Sequence, residues 1–243
     1  MKPPAVRHFD ARFRTLGTAA RAAGSKAYMK SALRFHGVDA AQVRGEATSY
    51  YKAEPARDAL VADATALFAT DAFDLRSVAI ALLERNEGVL SARDLPWLIG
   101  LARAGACWAH VDFLVTKVIG PILERTGDVA RWSRTWAADE DFWIRRVALL
   151  GQLRPLRRGG GDFALFTELA VPMLPEREFF IRKAIGWILR EVSKRRPVLV
   201  RDFLVEHGAA CSGVTWREAI KYLPPRMRSA AERARTHRNR DAT

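Results

Sequence analysis

Four aromatic residues stand at a nearly constant interval in this chain: Phe73, Trp108, Trp143 and Phe180 are 35, 35 and 37 residues apart. Each sits early in a stretch whose apolar residues recur at helical spacing, as Leu75, Val78, Ala79 and Leu82 do after Phe73. The clearest internal match sets Asp141-Phe-Trp-Ile-Arg-Arg-Val-Ala against Glu178-Phe-Phe-Ile-Arg-Lys-Ala-Ile. A unit of this length, built from two helices, cannot bury its apolar stripe alone and must stack on its neighbours. The expected fold is therefore all-α: an α-solenoid of HEAT-like helical repeats with a concave basic face, and residues 1–243 as a single domain.

Period-two strand patterns barely appear, whereas helix starts and stops are frequent. Asp71 and Asp74 suit the first turn of a helix over Asp71–Arg85, with Gly88 as its stop, and Ser91 with Asp94 opens the next. Further helices are expected over Trp108–Ile119, Asp128–Trp136, Asp141–Leu150, Asp162–Leu174, Glu178–Lys194, Pro197–Glu206 and Thr215–Tyr222. The extra length before Phe180 falls at Arg157-Arg158-Gly159-Gly160-Gly161, read as a flexible loop. Weak order is expected at both ends: the short Pro-containing Met1–Val6, and residues 230–243, where Arg233, Arg235, Arg238 and Arg240 make a basic tail.

Charge narrows the partners. With 40 Lys and Arg against 27 Asp and Glu, the net charge of +13 favours an anionic polymer or an anionic lipid surface over small acidic metabolites. An arginine-rich proteome whose charges serve only solubility is the alternative, and the placement of the cations decides between them. Apolar runs such as Val78–Leu83 are too short for a bilayer, so no membrane partner is expected. Charged residues from Lys2 to Arg14 interrupt any signal peptide, and Cys107 and Cys211 read as isolated thiols of a reducing compartment. That fits a cytoplasmic protein, associated with the nucleoid in a bacterium. The five histidines are scattered without metal-ligand spacing, and no phosphate-binding glycine loop follows a strand, so neither metal nor cofactor is expected.

Winding Glu178–Lys194 at about 100° per residue gathers Ile181, Ala184, Ile185, Ile188 and Val192 on one side. Lys183, Arg190 and Lys194 fall opposite, with Trp187 among them. A Trp covered by a neighbouring repeat would explain that position equally well. In Asp141–Gly151 the same winding sets Arg146 opposite the apolar stripe, so Arg146 and Lys183 would align as a cationic ridge in consecutive repeats. In Trp108–Ile119 the stripe is Val111, Leu114, Val115 and Val118, a rotated register that puts Trp108 and Asp112 one turn apart on one flank. An aspartate at the edge of an apolar stripe needs a facing cation or donor: either a nearby Arg, or a positively charged ligand in a basic groove.

The run Phe179-Phe180-Ile181-Arg182-Lys183-Ala184-Ile185-Gly186-Trp187-Ile188-Leu189-Arg190-Glu191 resembles the signature of the DNA alkylation repair enzymes of the AlkD type. Trp108-x-x-x-Asp112, Trp143-Ile144-Arg145-Arg146, Ala27-Tyr28-Met29-Lys30 and Arg217-Glu218-Ala219-Ile220-Lys221 follow the family's order, so the likeness spans about Tyr28 to Lys221. It implies a monofunctional DNA glycosylase in base excision repair, a monomer without lyase activity or cofactor, removing cationic N3- and N7-alkylated purines from double-stranded DNA. Matched to the family's motifs, Asp112 is the catalytic aspartate, Trp108 and Trp187 its aromatic partners and Arg146 the active-site arginine. Tyr28, Lys183, Arg145, Arg182 and Arg190 would contact DNA. Ala109 and Cys107 depart from the family's acidic and aromatic residues around the first tryptophan, which bears on substrate range. Two other classes compete: a noncatalytic HEAT-like protein binding damaged or branched DNA, for which the cations alone would suffice, and a protein-interaction scaffold.

Overall fold

The computed structural model describes residues 2–105 and 107–241, with side chains through His237. Among the described residues there is no strand, only an isolated bridge between Arg34 and Ala72. The helix signals of the sequence are met in hydrogen bonds. Asp39 accepts the amides of Ala41 and Gln42 while Gln42 accepts the Asp39 amide, closing a capping box on the helix Ala40–Tyr50. Ser91 and Asp94 form the same device before Leu95–Gly105, and Asp141, Asp162 and Ser212 cap Phe142–Leu150, Phe163–Met173 and Gly213–Ala219. Asp71 does not cap. Its backbone carbonyl takes the Arg34 amide at 2.8 Å as part of the isolated bridge, and the helix begins at Phe73.

The chain divides into two compact units, one through Ile122 and one from Leu123 on. In the first, Pro4–Leu16, Ala40–Tyr50, Arg57–Phe68 and Phe73–Arg85 pack together around Phe9, Phe13, Leu60, Leu67, Leu75 and Leu82. Leu95–Gly105 and Trp108–Leu114 extend that stack. In the second, Val129–Ala137 pairs with Phe142–Leu150, Phe179–Ser193 with Gly213–Ala219, and Pro197–His207 with Pro225–Asp241. Ile144, Val147, Phe166, Ile185, Ile188 and Leu189 fill its core. This pairing of each helix with its neighbour or next neighbour along the chain is a helical-repeat fold, and the four early aromatics all lie at the first or second residue of a helix, as the interval predicts. No helix among the described residues is long and apolar enough to cross a membrane.

Both ends carry more structure than their composition suggests. Pro4 occupies the first helical position, where its missing N–H costs nothing, and Ala5 and Val6 are buried; Met1 lies outside the described residues. In the same helix Asp10 is held near pKa 2: burial would raise it, but His36 at 2.9 Å and Arg14 at 2.9 Å outweigh that. At the other end Pro225–Asp241 is helical, with Ala231 buried and the Arg235 guanidinium 4.3 Å from the Trp216 ring centroid. Arg238 and Arg240 lie outside the described side chains. The glycine-rich segment is anchored as well: Leu153–Arg157 is a short helix, and Arg196 donates to the carbonyls of Gly160 and Gly161.

The two cysteines are free and buried. Burial pushes the Cys211 thiol up to about 11, and burial together with the charge of Asp112 raises that of Cys107.

Candidate functional site

In the first unit, the helix Trp108–Leu114 places Trp108 and Asp112 one turn apart, both half-buried, as the spacing requires. Tyr28 meets Trp108 edge-on, ring centroids 5.9 Å apart at 81°, while its own side chain is 72% exposed. That exposure has a local cause. The helix Ala19–Met29 buries none of its residues and is held through its N-terminal end, where the Thr18 amide and the Arg21 side chain both donate to the Gly37 carbonyl. Met29 of this helix and Ala109 of Trp108–Leu114 line a cavity of about 260 Å³ with largely apolar walls, among them Val43, Ile80 and Phe113.

Two features fix the direction of this helix. His110 stacks against Phe73 at 4.4 Å, with Nε2 3.2 Å from both the Phe73 carbonyl and the Ser77 hydroxyl. Burial pushes its pKa down to about 4, so at neutral pH it is an uncharged packing residue. After Leu114 the chain makes a π turn over Val115–Ile119, a widened turn that absorbs one residue and keeps Val115, Val118 and Ile119 buried. The expected single helix over Trp108–Ile119 is therefore α-helix followed by a π turn.

In the second unit, Ile181, Ala184, Ile185, Ile188 and Val192 are all buried, as the winding of this helix predicts. Trp187 stays half-exposed, and the Arg157 guanidinium lies 6.0 Å from its ring centroid. The nearby cations are not bare. Lys183 and Arg190 both bind the carboxylate of Glu218, while Glu191 accepts Lys194 at 2.9 Å and Arg157 at 3.1 Å. Arg145 donates twice to Glu176, at 3.0 and 2.7 Å, and Arg182 to the Glu176 carbonyl at 2.7 Å. Burial works to raise the carboxyl pKa of Glu191 and Glu218, but their basic partners hold both below the ordinary value.

Gly186 makes the Glu218 clamp possible. A Cβ there would meet the Glu218 Cβ at 2.8 Å and the Thr215 backbone at 3.1 Å, so only glycine lets Gly213–Ala219 come this close. Gly186→Val is expected to cost about 1–3 kcal/mol, a fall in Tm of roughly 2–12 °C on thermal denaturation. An unchanged Tm would mean that the two helices separate freely.

Arg146 departs from the expected ridge. It is only 2% exposed, donates to the Phe180 carbonyl, and holds its guanidinium 5.8 Å from the Phe180 ring. With Lys183 bound to Glu218, the two positions do not form an open row of cations. What the winding could not reveal is that the next repeat supplies a partner at each of them. The signal was nonetheless present in the period: Lys183–Glu218, Arg134–Glu168 and Arg12–Glu46 pair across 35, 34 and 34 residues, one repeat apart. Thus Tyr28, Trp108 and Asp112 stand together in the first unit, and Trp187 with Lys183 and Arg190 in the second.

Comparison with known proteins agrees with this arrangement of helices. Residues 9–223 match the family model described as DNA alkylation repair enzyme. Among solved structures, the chain is similar to a predicted DNA alkylation repair enzyme from Enterococcus faecalis, with 27% identity and a TM-score of 0.78 over 86% of this chain and 97% of that one. It also resembles in fold AlkD2 from Streptococcus mutans, at 16% identity and a TM-score of 0.59 over 75% of this chain and 89% of that one. The smu.31 protein of Streptococcus mutans UA159 gives the same identity and TM-score over 76% and 92%. No curated protein matches. A family match that runs from the first helix to the turn after Gly213–Ala219, through both groups of site residues, identifies the chain as a member of the DNA alkylation repair enzyme family.

Proposed function

We propose that this protein is a monofunctional DNA glycosylase that excises cationic N3- and N7-alkylated purines, of the 3-methyladenine and 7-methylguanine type, from duplex DNA. The observation that carries this reading is the half-buried carboxylate of Asp112 one turn beyond the Trp108 indole, with Tyr28 on the edge of that ring, in a chain of net charge +13. Binding to DNA needs only cations; a fixed anion beside an aromatic ring suits a positively charged ligand instead.

The chemistry asks little of the protein. An alkylated purine of this class already carries a positive charge, which weakens its glycosidic bond, so no strong general acid is required. As that bond breaks, the base leaves as a neutral molecule and positive charge moves onto the sugar. Asp112 stabilises the oxocarbenium-like sugar and orients the attacking water. The faces of Trp108 and Trp187 add cation–π attraction of roughly 2 kcal/mol where water is excluded. Lys183, Arg190, Arg145 and Arg182 contact phosphates, which makes affinity salt-dependent and carries little sequence information. Arg146, packed on Phe180, acts by holding the Phe142–Leu150 helix against its neighbour. A carboxylate cannot form a Schiff base with the abasic sugar, so strand cleavage is not expected.

Incubation of the purified protein with methylated duplex DNA, followed by identification of released bases, tests the reading. Free 7-methylguanine and 3-methyladenine with unbroken abasic DNA are expected. Release no greater than in the protein-free control, or strand cleavage by the protein itself, would overturn it.

A further inference from the structure

At the end of the helix Phe179–Ser193 two amines lie against one exposed aromatic ring. Tyr222 is 49% exposed, with the Lys194 Nζ 5.0 Å and the Lys221 Nζ 5.7 Å from its ring centroid. The short turn Ile220–Tyr222 packs against that helix, which fixes the ring beside its last residues. The two lysines differ in what holds them. Lys194 is fixed by both oxygens of Glu191 at 2.9 Å, yet its side chain remains 41% exposed. Lys221 is exposed and makes no ion pair among the described residues. Two ammonium groups about one exposed phenol ring concentrate positive charge there, which suits an anion.

We propose that Lys194, Lys221 and Tyr222 form a seat for one strand of the duplex beyond the lesion, the amines on a phosphate and the ring against the neighbouring deoxyribose. This rests on the DNA reading above and adds to it a place along the strand. Lys194 follows Trp187 by seven residues, about 10 Å along the helix axis. The seat is therefore set apart from a base held at Trp187 and meets the backbone beyond the damaged nucleotide. A carboxylate-rich protein partner would use the lysines but would leave the ring unexplained, since a sugar face beside a phosphate engages all three groups at once.

The test uses the full-length protein and duplexes bearing one 7-methylguanine, lengthened stepwise on either side of it, with affinity measured over a series of NaCl concentrations. Wild-type protein is expected to gain affinity as the duplex is lengthened on one side of the lesion only. Lys221→Ala should lose that gain, bind several-fold more weakly, and show a salt slope smaller by about 0.9. Tyr222→Ala should lose the gain while keeping the slope, because the ring carries no charge. Both residues are exposed, so the folded state survives their loss. Variants that retain the length-dependent gain would overturn the seat, even if the protein releases alkylated bases normally. A protein that shows the gain and its loss but releases no base would keep the seat and refute the glycosylase.

Discussion

Asp112→Asn is expected to leave affinity for undamaged duplex within about twofold of wild type and to slow single-turnover release of 7-methylguanine by about three decades. Asparagine keeps the size of the side chain and one acceptor oxygen but loses the charge. A carboxylate about 4 Å from a unit positive charge contributes on the order of 4 kcal/mol at an effective dielectric of 20. Spent only on the oxocarbenium-like state, that corresponds to about three factors of ten in rate. The half-buried position matters, since a fully solvated carboxylate would be screened to a fraction of this value. Release within about threefold of wild type would remove Asp112 from the chemistry, because no charge worth kilocalories could then have been lost.

Trp187→Ala should slow release of 7-methylguanine roughly 10- to 30-fold, the equivalent of about 2 kcal/mol of cation–π attraction. Binding to undamaged duplex should change much less. The Arg157 guanidinium over this ring, bound at the same time to Glu191, shows that the indole face already accepts a cation. A cationic nucleotide on that face would take the place of Arg157. Equal losses on damaged and undamaged DNA would instead make Trp187 a support for Arg157 and nothing more.

Much of the second unit is legible in the sequence because helical periodicity is a property of single segments. The stripe Ile181, Ala184, Ile185, Ile188 and Val192 needs no partner to be recognised, and all five residues are buried. Arg146 is the opposite case. Its own helix places it away from the stripe, and only the neighbouring repeat, through the carbonyl and ring of Phe180, decides that it is covered. The same holds for Lys183 and Arg190, whose partner Glu218 enters from another helix through the gap left by Gly186. At the N-terminus, Pro4 serves as a helix opener, and the buried Ala5 and Val6 are too small to announce a core by themselves. In the site, Trp108 and Asp112 follow from i, i+4 spacing alone, whereas the π turn after Leu114 has no composition of its own.

A protein that acts on alkylated DNA, as proposed above, also meets the electrophiles that made it. Methylating agents attack thiolates, and both thiols here are shielded twice, by burial and by a raised pKa. At pH 7 a thiol of pKa about 11 is ionised in about one molecule in ten thousand. The fold thus keeps its own soft nucleophiles out of reach under the stress that calls for its work.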